Sequence, residues 1–321
     1  PAPPSTTSAP DAERAPALPP VVAEPVPTLG SACPEDMVLV DTNHCTQVDL
    51  DCQKSEYEPA HHLTICHQFA PGQTCRSSPR RQRYCIDRYE YPNVKGGHPP
   101  VNVSAYDAAA MCEERGTRLC YESEWVAACE GPDKLPFPYG LERSGTMCNI
   151  DNRYIAPSLE KASSSNLAVR AAELKRLDQS VRSGAMDTCQ SGFGVYDLTG
   201  NFDEWVLSEH DRDVSGWAGL KGGAWGHVRN ACRPMTTSHV AHWSYYFVSF
   251  RCCRDPDADA LPRAPDDGIE LWQPPAWSPP PHPGVNRLNP VNTAIFRANL
   301  RRLAGRERFR FPAALVPNSF K

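Results

Sequence analysis

Cysteine is the residue type with the most chemistry to offer in this chain. The 321-residue sequence contains 14 cysteines, and all of them lie between Cys33 and Cys253. No two are separated by two residues, the spacing typical of zinc sites and of thioredoxin-type redox motifs. An even number of cysteines without such spacing is typical of a disulfide network in an oxidising compartment. We therefore expect an extracytoplasmic protein, which could be periplasmic, anchored to an outer membrane or secreted.

Histidine and aromatic side chains offer a second kind of site. His239 and His242 lie close in sequence to Trp243, Tyr245 and Tyr246. Aromatic faces with nearby hydrogen-bond donors suit peptides or sugars, so this segment predicts a ligand groove. The alternative is that about half of these rings pack in the core.

These residues need a fold to position them, and the composition of the chain predicts four parts. Residues 1–32 carry nine prolines and predict an extended linker. Residues 33–84 predict a cysteine-rich N-terminal part, and residues 85–254 predict an α+β core. Residues 255–321 predict an extended, Pro-rich and basic arm with a short helix from about Asn292 to Leu303.

Three helices are predicted within the core. Ser104 and Asp107 have the spacing of a capping box, and Gly116 is placed to end the helix that they begin. A second helix is expected from about Glu122 to Glu130. The spacing of the leucines between residues 159 and 181 predicts a third helix on the surface.

Composition and charge exclude two classes of protein. The formal net charge is -5, which argues against a nucleic-acid binder with a broad basic surface. No apolar run approaches the roughly 20 residues that a transmembrane helix requires. We therefore expect no nucleic-acid partner and no transmembrane helix.

Several short motifs occur in one order along the chain, and together they carry a family resemblance. They are Cys85-Ile-Asp-Arg-Tyr-Glu-Tyr-Pro-Asn93, Arg118-Leu-Cys-Tyr-Glu-Ser-Glu-Trp125, Phe137-Pro-Tyr-Gly140, Cys148-Asn-Ile150, Gly194-Val-Tyr-Asp-Leu-Thr-Gly-Asn-Phe-Asp-Glu-Trp205, Lys221-Gly-Gly-Ala-Trp225 and Ser249-Phe-Arg-Cys252. In this order the set resembles the formylglycine-generating enzyme (sulfatase-modifying factor) family over roughly residues 35–254. The resemblance implies an α+β fold that is loop-rich, disulfide-stapled and similar to an elaborated C-type-lectin-like fold.

The resemblance also implies a structural Ca²⁺ site. In the family, two positions bind through side chains and two between them bind through main-chain carbonyls, which are the hard oxygen ligands that Ca²⁺ requires. The residues on these positions are Asp197, Gly200, Phe202 and Glu204. The alternative for this segment is a tight turn with side-chain bonds to the backbone. Asn149 and Ile150 match half of a second family calcium site.

The catalytic position of the family is altered in this chain. Active members hold Cu(I) with two cysteines just after a Gly-Gly-Ser motif and oxidise a substrate cysteine to formylglycine, and Cu(I) requires such soft thiolates. Here Ala224 replaces the serine, His227 stands in place of the first copper cysteine, and Cys232 is the nearby thiol. We therefore expect no copper, and the candidates for any remaining catalysis are His227, Arg229 and Cys232.

The resemblance implies disulfides as well. Those of the core would be Cys112 with Cys252 or Cys253, Cys129 with Cys232, Cys148 with Cys189, and Cys120 with the remaining one of Cys252 and Cys253. The other six cysteines would pair among themselves: Cys33, Cys45, Cys52, Cys66, Cys75 and Cys85. Use of Cys232 as a metal ligand would leave Cys129 unpaired, which favours a structural role for Cys232.

Two functions are compatible with these observations. The first is a non-catalytic binding or scaffold subunit of an envelope or extracellular assembly, by analogy with relatives that lost the copper cysteines, such as the gliding-motility lipoprotein of type IX secretion. The alternative is an oxidase of the formylglycine-generating or PvdO type that modifies a peptide or protein substrate. The residues expected to bind a ligand are Trp225, His227, His242, Trp243 and Tyr245.

The C-terminal arm is expected to bind a protein partner. Trp272, Trp277 and Phe309 are among its aromatic side chains, which are costly to leave in water. The alternative is an acidic membrane surface, because the arm is basic from Arg287 onward. We also expect that a segment upstream of Pro1 could carry a lipid anchor.

Overall fold

The computed structural model describes residues 32–59, 62–162, 164–210, 212, 214–256 and 270–275. They form the α+β fold expected from the resemblance, with many short strands, few helices and long loops. The helices are α1 (Ala105–Glu114), α2 (Glu122–Glu130), α3 (Leu159–Ala162) and α4 (Leu167–Leu177). The strands are β1 (Met37–His44), β2 (Val48–Asp49), β3 (Cys52–Glu58), β4 (Leu63–Phe69), β5 (Thr74–Cys75), β6 (Arg80–Asp87), β7 (Arg118–Leu119), β8 (Asp203–Leu207), β9 (Ala218–Lys221), β10 (Met235–Thr236), β11 (Val248–Phe250), β12 (Cys252–Arg254) and β13 (Glu270–Leu271). None of the helices in the described part is long and apolar enough to cross a membrane.

The first sheet joins the N-terminal part of the chain to the core. Its strands follow the order β1-β6-β12-β7, and β13 pairs with β6 in parallel. β1 and β6 are antiparallel, with Met37 opposite Asp87 and His44 opposite Arg80. The boundary expected at residue 84 therefore falls inside β6, and β1 shares a sheet with strands of the core.

The second sheet holds the motif residues that the family resemblance singles out. Its order is β10-β9-β8-β11, in which β8 and β9 are antiparallel and β11 is parallel to β8. Glu204 in β8 lies opposite Lys221 in β9. The start of β8 and the end of β9 therefore meet at one edge of this sheet, and the loops before β8 and after β9 lie together.

The hairpin of β3 and β4 contrasts with these sheets because it buries little. Side chains of β3 are exposed along almost its whole length, and the Cys52–Cys66 disulfide joins the two strands. On the other side of β4, the Phe69 amide donates to the Leu141 carbonyl at 2.9 Å. Covalent bonds and backbone hydrogen bonds hold this hairpin, in the absence of extensive apolar burial.

Helices α1 and α2 confirm the sequence prediction. Ser104 caps α1, and it forms the expected reciprocal capping box with Asp107. α2 spans the predicted residues, and Gly131 follows it with a φ of 65°. α2 packs against β1, β6 and β8, which places its buried Trp125 between the two sheets.

The prediction of a single surface helix between residues 159 and 181 is wrong in detail. The structure has two helices there, and only the last leucines of the pattern, Leu174 and Leu177, face the interior. Leu159 and Leu167 are each 66% exposed, whereas Arg170 and Glu173 are buried. Glu173 accepts hydrogen bonds from the Ser158 amide at 2.7 Å and from the Arg176 guanidinium at 2.6 Å. These polar contacts hold α4, which a count of apolar residues could not anticipate.

The described start of the C-terminal arm lies on the core. The Trp272 amide donates to the Arg81 carbonyl at 3.1 Å, and its indole Nε1 donates to Glu209 at 2.9 Å. The Trp272 ring meets Tyr121 edge to face at 5.0 Å. Trp272 is thus bound within its own chain, whereas Trp277, the helix expected at 292–303 and the linker up to residue 31 lie outside the described residues.

Candidate functional site

Two loops meet at the edge of the second sheet and form the candidate site. The first runs from Asp197 into β8, and the second runs from Gly222, after β9, to Arg233. The Gly200 amide donates to the Gly222 carbonyl at 3.1 Å. Gly200 has a φ of 80°, and a Cβ there would lie 2.3 Å from the Asn149 carbonyl oxygen. Only glycine allows the backbone at residue 200 to approach the Asn149 carbonyl so closely.

A buried ion pair anchors the first loop. The Arg251 guanidinium donates to the two carboxylate oxygens of Glu204 at 2.6 and 2.7 Å, and both side chains are fully buried. The Trp125 indole donates to the same carboxylate at 2.8 Å. Bidentate pairing in a dry environment fixes the start of β8 against Arg251, the residue that links β11 to β12.

Two further carboxylates lie beside this pair. The Gly184 amide donates to Asp197 at 2.6 Å, and the Asn201 amide side chain donates to Glu90 Oε1 at 2.8 Å. Glu90 Oε2 has no hydrogen-bond partner among the described residues. Burial, and then the neighbouring Glu90, raise the pKa of Asp197 well above its usual range. Three buried carboxyl groups thus face one arginine, and the raised pKa favours the protonated form of Asp197.

This arrangement bears on the calcium site implied by the resemblance. No group of three or more His, Cys, Asp or Glu side chains within the described ranges converges closely enough to hold a metal. A cation here would therefore need main-chain carbonyls, as the expected set with Gly200 and Phe202 supplies. Arg251 pairs directly with Glu204 and acts only from a distance on Asp197 and Glu90, whose Oε2 has no hydrogen-bond partner among the described residues. The donor set fits Ca²⁺ with Asp197 as its charged ligand.

The second expected calcium position is already engaged in hydrogen bonds. The Asn149 amide nitrogen donates to the Gln179 carbonyl at 3.0 Å and to Asn201 at 3.1 Å. Its side-chain oxygen accepts from Asn152 at 2.8 Å. Ile150 is buried against the Cys148–Cys189 disulfide. In this arrangement Asn149 ties the first loop to the segment that follows α4.

The second loop corresponds to the position at which the resemblance implies copper in active members. Its one cysteine, Cys232, is in a disulfide. Cys232 is fully buried and forms a disulfide with Cys129. His227 lies with Nδ1 at 3.3 Å from Asp203 Oδ2 and with its ring edge to face with Phe247 at 4.5 Å. The other Asp203 oxygen accepts from the Gly223 amide at 3.2 Å. His227 is thereby oriented by a buried carboxylate.

One arginine holds the backbone of the second loop in place. Arg143 donates to the carbonyl oxygens of His227 and Asn230 at 3.2 and 3.1 Å. It also pairs with Asp151 at 2.6 Å. The third catalytic candidate, Arg229, donates to the Thr236 hydroxyl at 3.4 Å. The structure therefore brings His227 and Asp203 together but leaves Cys232 on the disulfide.

The second loop is flanked by buried positive groups. Lys221 Nζ donates to the Arg233 carbonyl at 2.8 Å, and burial lowers the pKa of Lys221 to about 7. The Arg233 guanidinium pairs with the buried Glu130. Burial, followed by Arg233, lowers the pKa of His44 to about 3, so His44 is neutral in the folded protein at neutral pH.

The expected aromatic residues form a connected row of rings. His239 stacks on Trp243 at 3.7 Å, and Trp243 stacks on Tyr245 at 5.4 Å. Tyr245 in turn contacts Tyr246 at 4.7 Å. Trp225, which is only 4% exposed, supports the row through Tyr246. His242 is exposed, and no ring contact of its side chain is found in the part of the chain that the structure describes.

All 14 cysteines are paired, and the core pairs are those that the resemblance implies. The choice between the two adjacent cysteines is resolved, since Cys112 pairs with Cys252 and Cys120 pairs with Cys253. The remaining pairs are Cys33–Cys85, Cys45–Cys75, Cys52–Cys66, Cys129–Cys232 and Cys148–Cys189. Seven disulfides indicate an oxidising, extracytoplasmic environment.

Sequence reasoning assigned no role to four residues of the site: Glu90, Arg143, Asp203 and Arg251. Glu90 and Arg251 lie inside motifs that carry the resemblance, yet their partners are distant in sequence. The arginine between Phe250 and Cys252 was a usable signal, because a charged side chain flanked by apolar residues needs a buried partner. Arg143 and Asp203 gave no such signal.

Comparisons with known proteins agree with these observations. The family model described as "Sulfatase-modifying factor enzyme 1-like domain" matches residues 43–256. A curated relative, "Inactive C-alpha-formylglycine-generating enzyme 2" from Bos taurus, is 30% identical over 128 residues, which are 40% of this chain and 38% of that protein. The match thus spans well under half of the relative's length.

Solved structures with a similar arrangement include "Treponema denticola variable protein 1", at a TM-score of 0.42 and 12% identity, over 68% of this chain and 95% of that one. A second, "Crystal Structure of CarF", has a TM-score of 0.42 and 14% identity over 70% of this chain and 99% of that one.

Proposed function

We propose that this chain, which belongs to the sulfatase-modifying factor enzyme 1-like family, is a non-catalytic member that acts outside the cytoplasm as a binding subunit of a protein assembly. The family domain covers residues 43–256.

One observation carries the proposal, and it is the Cys129–Cys232 disulfide. Cu(I) needs two soft thiolates close together. With His227 in place of the first copper cysteine and Cys232 in a disulfide, the loop offers no thiolate. The similarity to a relative named inactive supports the same reading.

The first experiment counts thiols. We expect no free thiol when the unreduced protein is denatured in the presence of a thiol reagent. A reactive Cys232, together with copper bound to the native protein and oxygen consumption with a cysteine-containing peptide, would instead support the alternative oxidase.

A second experiment restores the missing donors. The double variant His227→Cys/Cys129→Ser provides a thiol at residue 227 and frees Cys232. We expect this variant to take Cu(I) from a coloured chelator, because two thiolates are then available in one loop. The wild type and the single variant His227→Cys, in which Cys232 stays bonded, serve as matched controls and should leave the chelator colour unchanged.

The first loop is proposed to bind a structural Ca²⁺ through the Asp197 carboxylate and the carbonyls of Gly200 and Phe202. The buried Asp197 carboxyl group, and the neighbouring Glu90 Oε2 for which no hydrogen-bond partner is found among the described residues, support this assignment. The cation would stabilise the loop, and no reaction is assigned to it.

The C-terminal arm is proposed to engage the partner. Its described start is bound to the core through Trp272, so a truncation after residue 275 keeps that contact. We expect the truncated protein to fold with unchanged stability and to lose its partner in co-purification from the native host. Retention of the partner would place the interface elsewhere, and a lipid anchor upstream would show as membrane-fraction recovery of the full-length protein.

A further inference from the structure

Trp272 occupies a pocket that the core builds from residues distant from it in sequence. Its indole Nε1 donates to Glu209 Oε1 at 2.9 Å, and its ring meets Tyr121 edge to face at 5.0 Å. The same carboxylate accepts from the Ser123 hydroxyl at 2.9 Å and from the Ser123 amide at 2.7 Å. The Arg118 guanidinium lies over the Tyr121 ring at 4.6 Å. The core therefore fixes the acceptor and the ring independently of Trp272, and we call Glu209 and Tyr121 the tryptophan pocket.

A short stretch of backbone directs Trp272 into the tryptophan pocket. β13 pairs in parallel with β6, and the Trp272 amide donates to the Arg81 carbonyl at 3.1 Å. Two prolines follow, Pro274 and Pro275. Proline fixes its own φ and disfavours the helical region for the residue before it, so a Trp-x-Pro-Pro segment is extended before it docks. Docking of such a segment therefore costs little conformational entropy.

The sequence contains a second segment of this type. Trp277-Ser-Pro-Pro280 repeats Trp272-Gln-Pro-Pro275 after five residues, and none of the other five tryptophans has two prolines at this spacing. One indole makes the hydrogen bond to Glu209. The chain therefore carries two similar segments for one tryptophan pocket.

The two segments differ in the residues that precede the tryptophan. Glu270 pairs with Arg80 in the parallel ladder, and its carboxylate lies 3.5 Å from the Arg80 guanidinium. Pro275 holds the equivalent position before Trp277, and it has neither a backbone N–H nor a charge. The first segment should therefore be the preferred occupant, as the structure has it.

We propose that the tryptophan pocket is a docking site for Trp-x-Pro-Pro segments and that residues 277–280 of the same chain are its second occupant. The arm then has two registers. In the second register, five more residues precede the docked tryptophan and five fewer extend beyond it, so the reach of the free end shortens by up to about 17 Å at about 3.3 Å per residue. This inference goes beyond the proposed function, because it concerns how the chain holds its own arm and requires no partner.

The test follows the tryptophans of the full chain by ¹⁹F NMR after incorporation of 5-fluorotryptophan. Trp272→Ala empties the tryptophan pocket, and Trp277→Ala in the same background identifies the Trp277 signal. We expect this signal in Trp272→Ala to move towards the position that the Trp272 signal has in the wild type. In the wild type the first register should predominate about tenfold, a difference of about 1.4 kcal/mol. Trp243→Phe changes a tryptophan outside the pocket and should leave the Trp277 signal in place.

Synthetic peptides and a pocket variant show what the tryptophan pocket recognises. Unlabelled acetyl-Glu-Leu-Trp-Gln-Pro-Pro-amide should return the Trp277 signal of Trp272→Ala to its wild-type position, whereas the same peptide with alanine in place of tryptophan should not. Glu209→Gln in this background should weaken docking about fivefold, because the indole then donates to a neutral acceptor. Glu122→Gln is the matched control, since Glu122 pairs with Arg212 instead. Circular dichroism verifies that each variant is folded.

The proposal is overturned if the Trp277 signal of Trp272→Ala stays at its wild-type position, or if the peptide without tryptophan displaces Trp277 equally well. A shift of the Trp277 signal that grows with protein concentration would also overturn it and would identify the segment of a second copy as the occupant. These failures leave the thiol count unaffected, so they are distinguishable from a failure of the proposed non-catalytic role.

Discussion

The two loops of the site meet at one edge of a sheet and differ in the ionisable groups around them. The loop before β8 holds Asp197, with Glu90 beside it, around a single Arg251. The loop after β9 is flanked by Lys221 and Arg233, and the pKa of Lys221 is lowered to about 7 by burial. Carboxyl groups outnumber cations in the first loop, whereas Arg233 beside the second loop is paired with Glu130 and Lys221 donates to a carbonyl.

This difference teaches which part of the site the fold itself requires. The first loop ties two strands together through the Glu204–Arg251 pair, so its charged residues are part of the core. The second loop is held by a disulfide and by hydrogen bonds from Arg143, none of which depends on a reactive thiol. The observed contacts of the second loop therefore require no free thiol.

The largest effect is expected from breaking the first loop's ion pair. Arg251→Met should lower the free energy of unfolding by about 3–5 kcal/mol, because it leaves Glu204 buried without a counter-charge. Urea denaturation measures this change. Arg76→Gln removes the partner of Asp49 in an exposed pair and should have no measurable effect, so similar values for the two variants would refute the distinction.

A smaller effect is expected from removal of calcium. With Ca²⁺ about 100-fold above its dissociation constant, the free energy of unfolding should rise by about 2.7 kcal/mol over the value in chelator. Terbium should replace calcium and show luminescence sensitised by Trp125, which contacts Glu204. Asp197→Asn should abolish both responses, whereas identical denaturation curves with calcium and with chelator would remove the cation from the first loop.

The positive surroundings of the second loop predict a loss of stability in acid. The pKa of His44 is about 3 in the folded chain against 6.5 ordinarily, so below pH 6.5 the unfolded chain binds a proton that the folded chain does not. The contribution of His44 to the free energy of unfolding is constant above pH 6.5. At pH 5 it should be lower by about 2 kcal/mol. His44→Gln should flatten this part of the pH profile, and the exposed control His242→Gln should leave its slope unchanged.

The smallest effect should be local to the second loop. Arg143→Lys loses the forked donation to the His227 and Asn230 carbonyls and should lower the local opening free energy by about 1.5 kcal/mol. Hydrogen exchange at the amides of His227 and Ala231 reports this opening. If exchange accelerates equally in the first loop, the two loops open as one unit. That result would contradict the view that separate contacts hold them.

Local signals predicted the local structure well. The capping box at Ser104 and the glycine after α2 marked two helices correctly, because each signal acts within one turn of chain. The order of the motifs predicted the family, and with it the pairing of the core cysteines.

Long-range polar contacts could not be predicted in the same way. Glu90, Arg143 and Arg251 act through partners 8 to 111 residues away, and no spacing rule links such positions. The exposed leucines of α3 and α4 misled the helix prediction for a related reason. The buried face of α4 combines Leu177 with the polar Arg170 and Glu173, and Glu173 is held there by Ser158 and Arg176.

The contact of Trp272 with Tyr121 and Glu209 has a mechanical consequence. The last disulfide-bonded residue is Cys253, so a load applied through the C-terminus reaches β13 before it reaches any covalent crosslink. The short pairing with β6 would yield first and lengthen the connection while the crosslinked body keeps its shape. A load on the C-terminal arm would then be taken up by the β13–β6 pairing and the Trp272 contacts, which can form again when the load is removed.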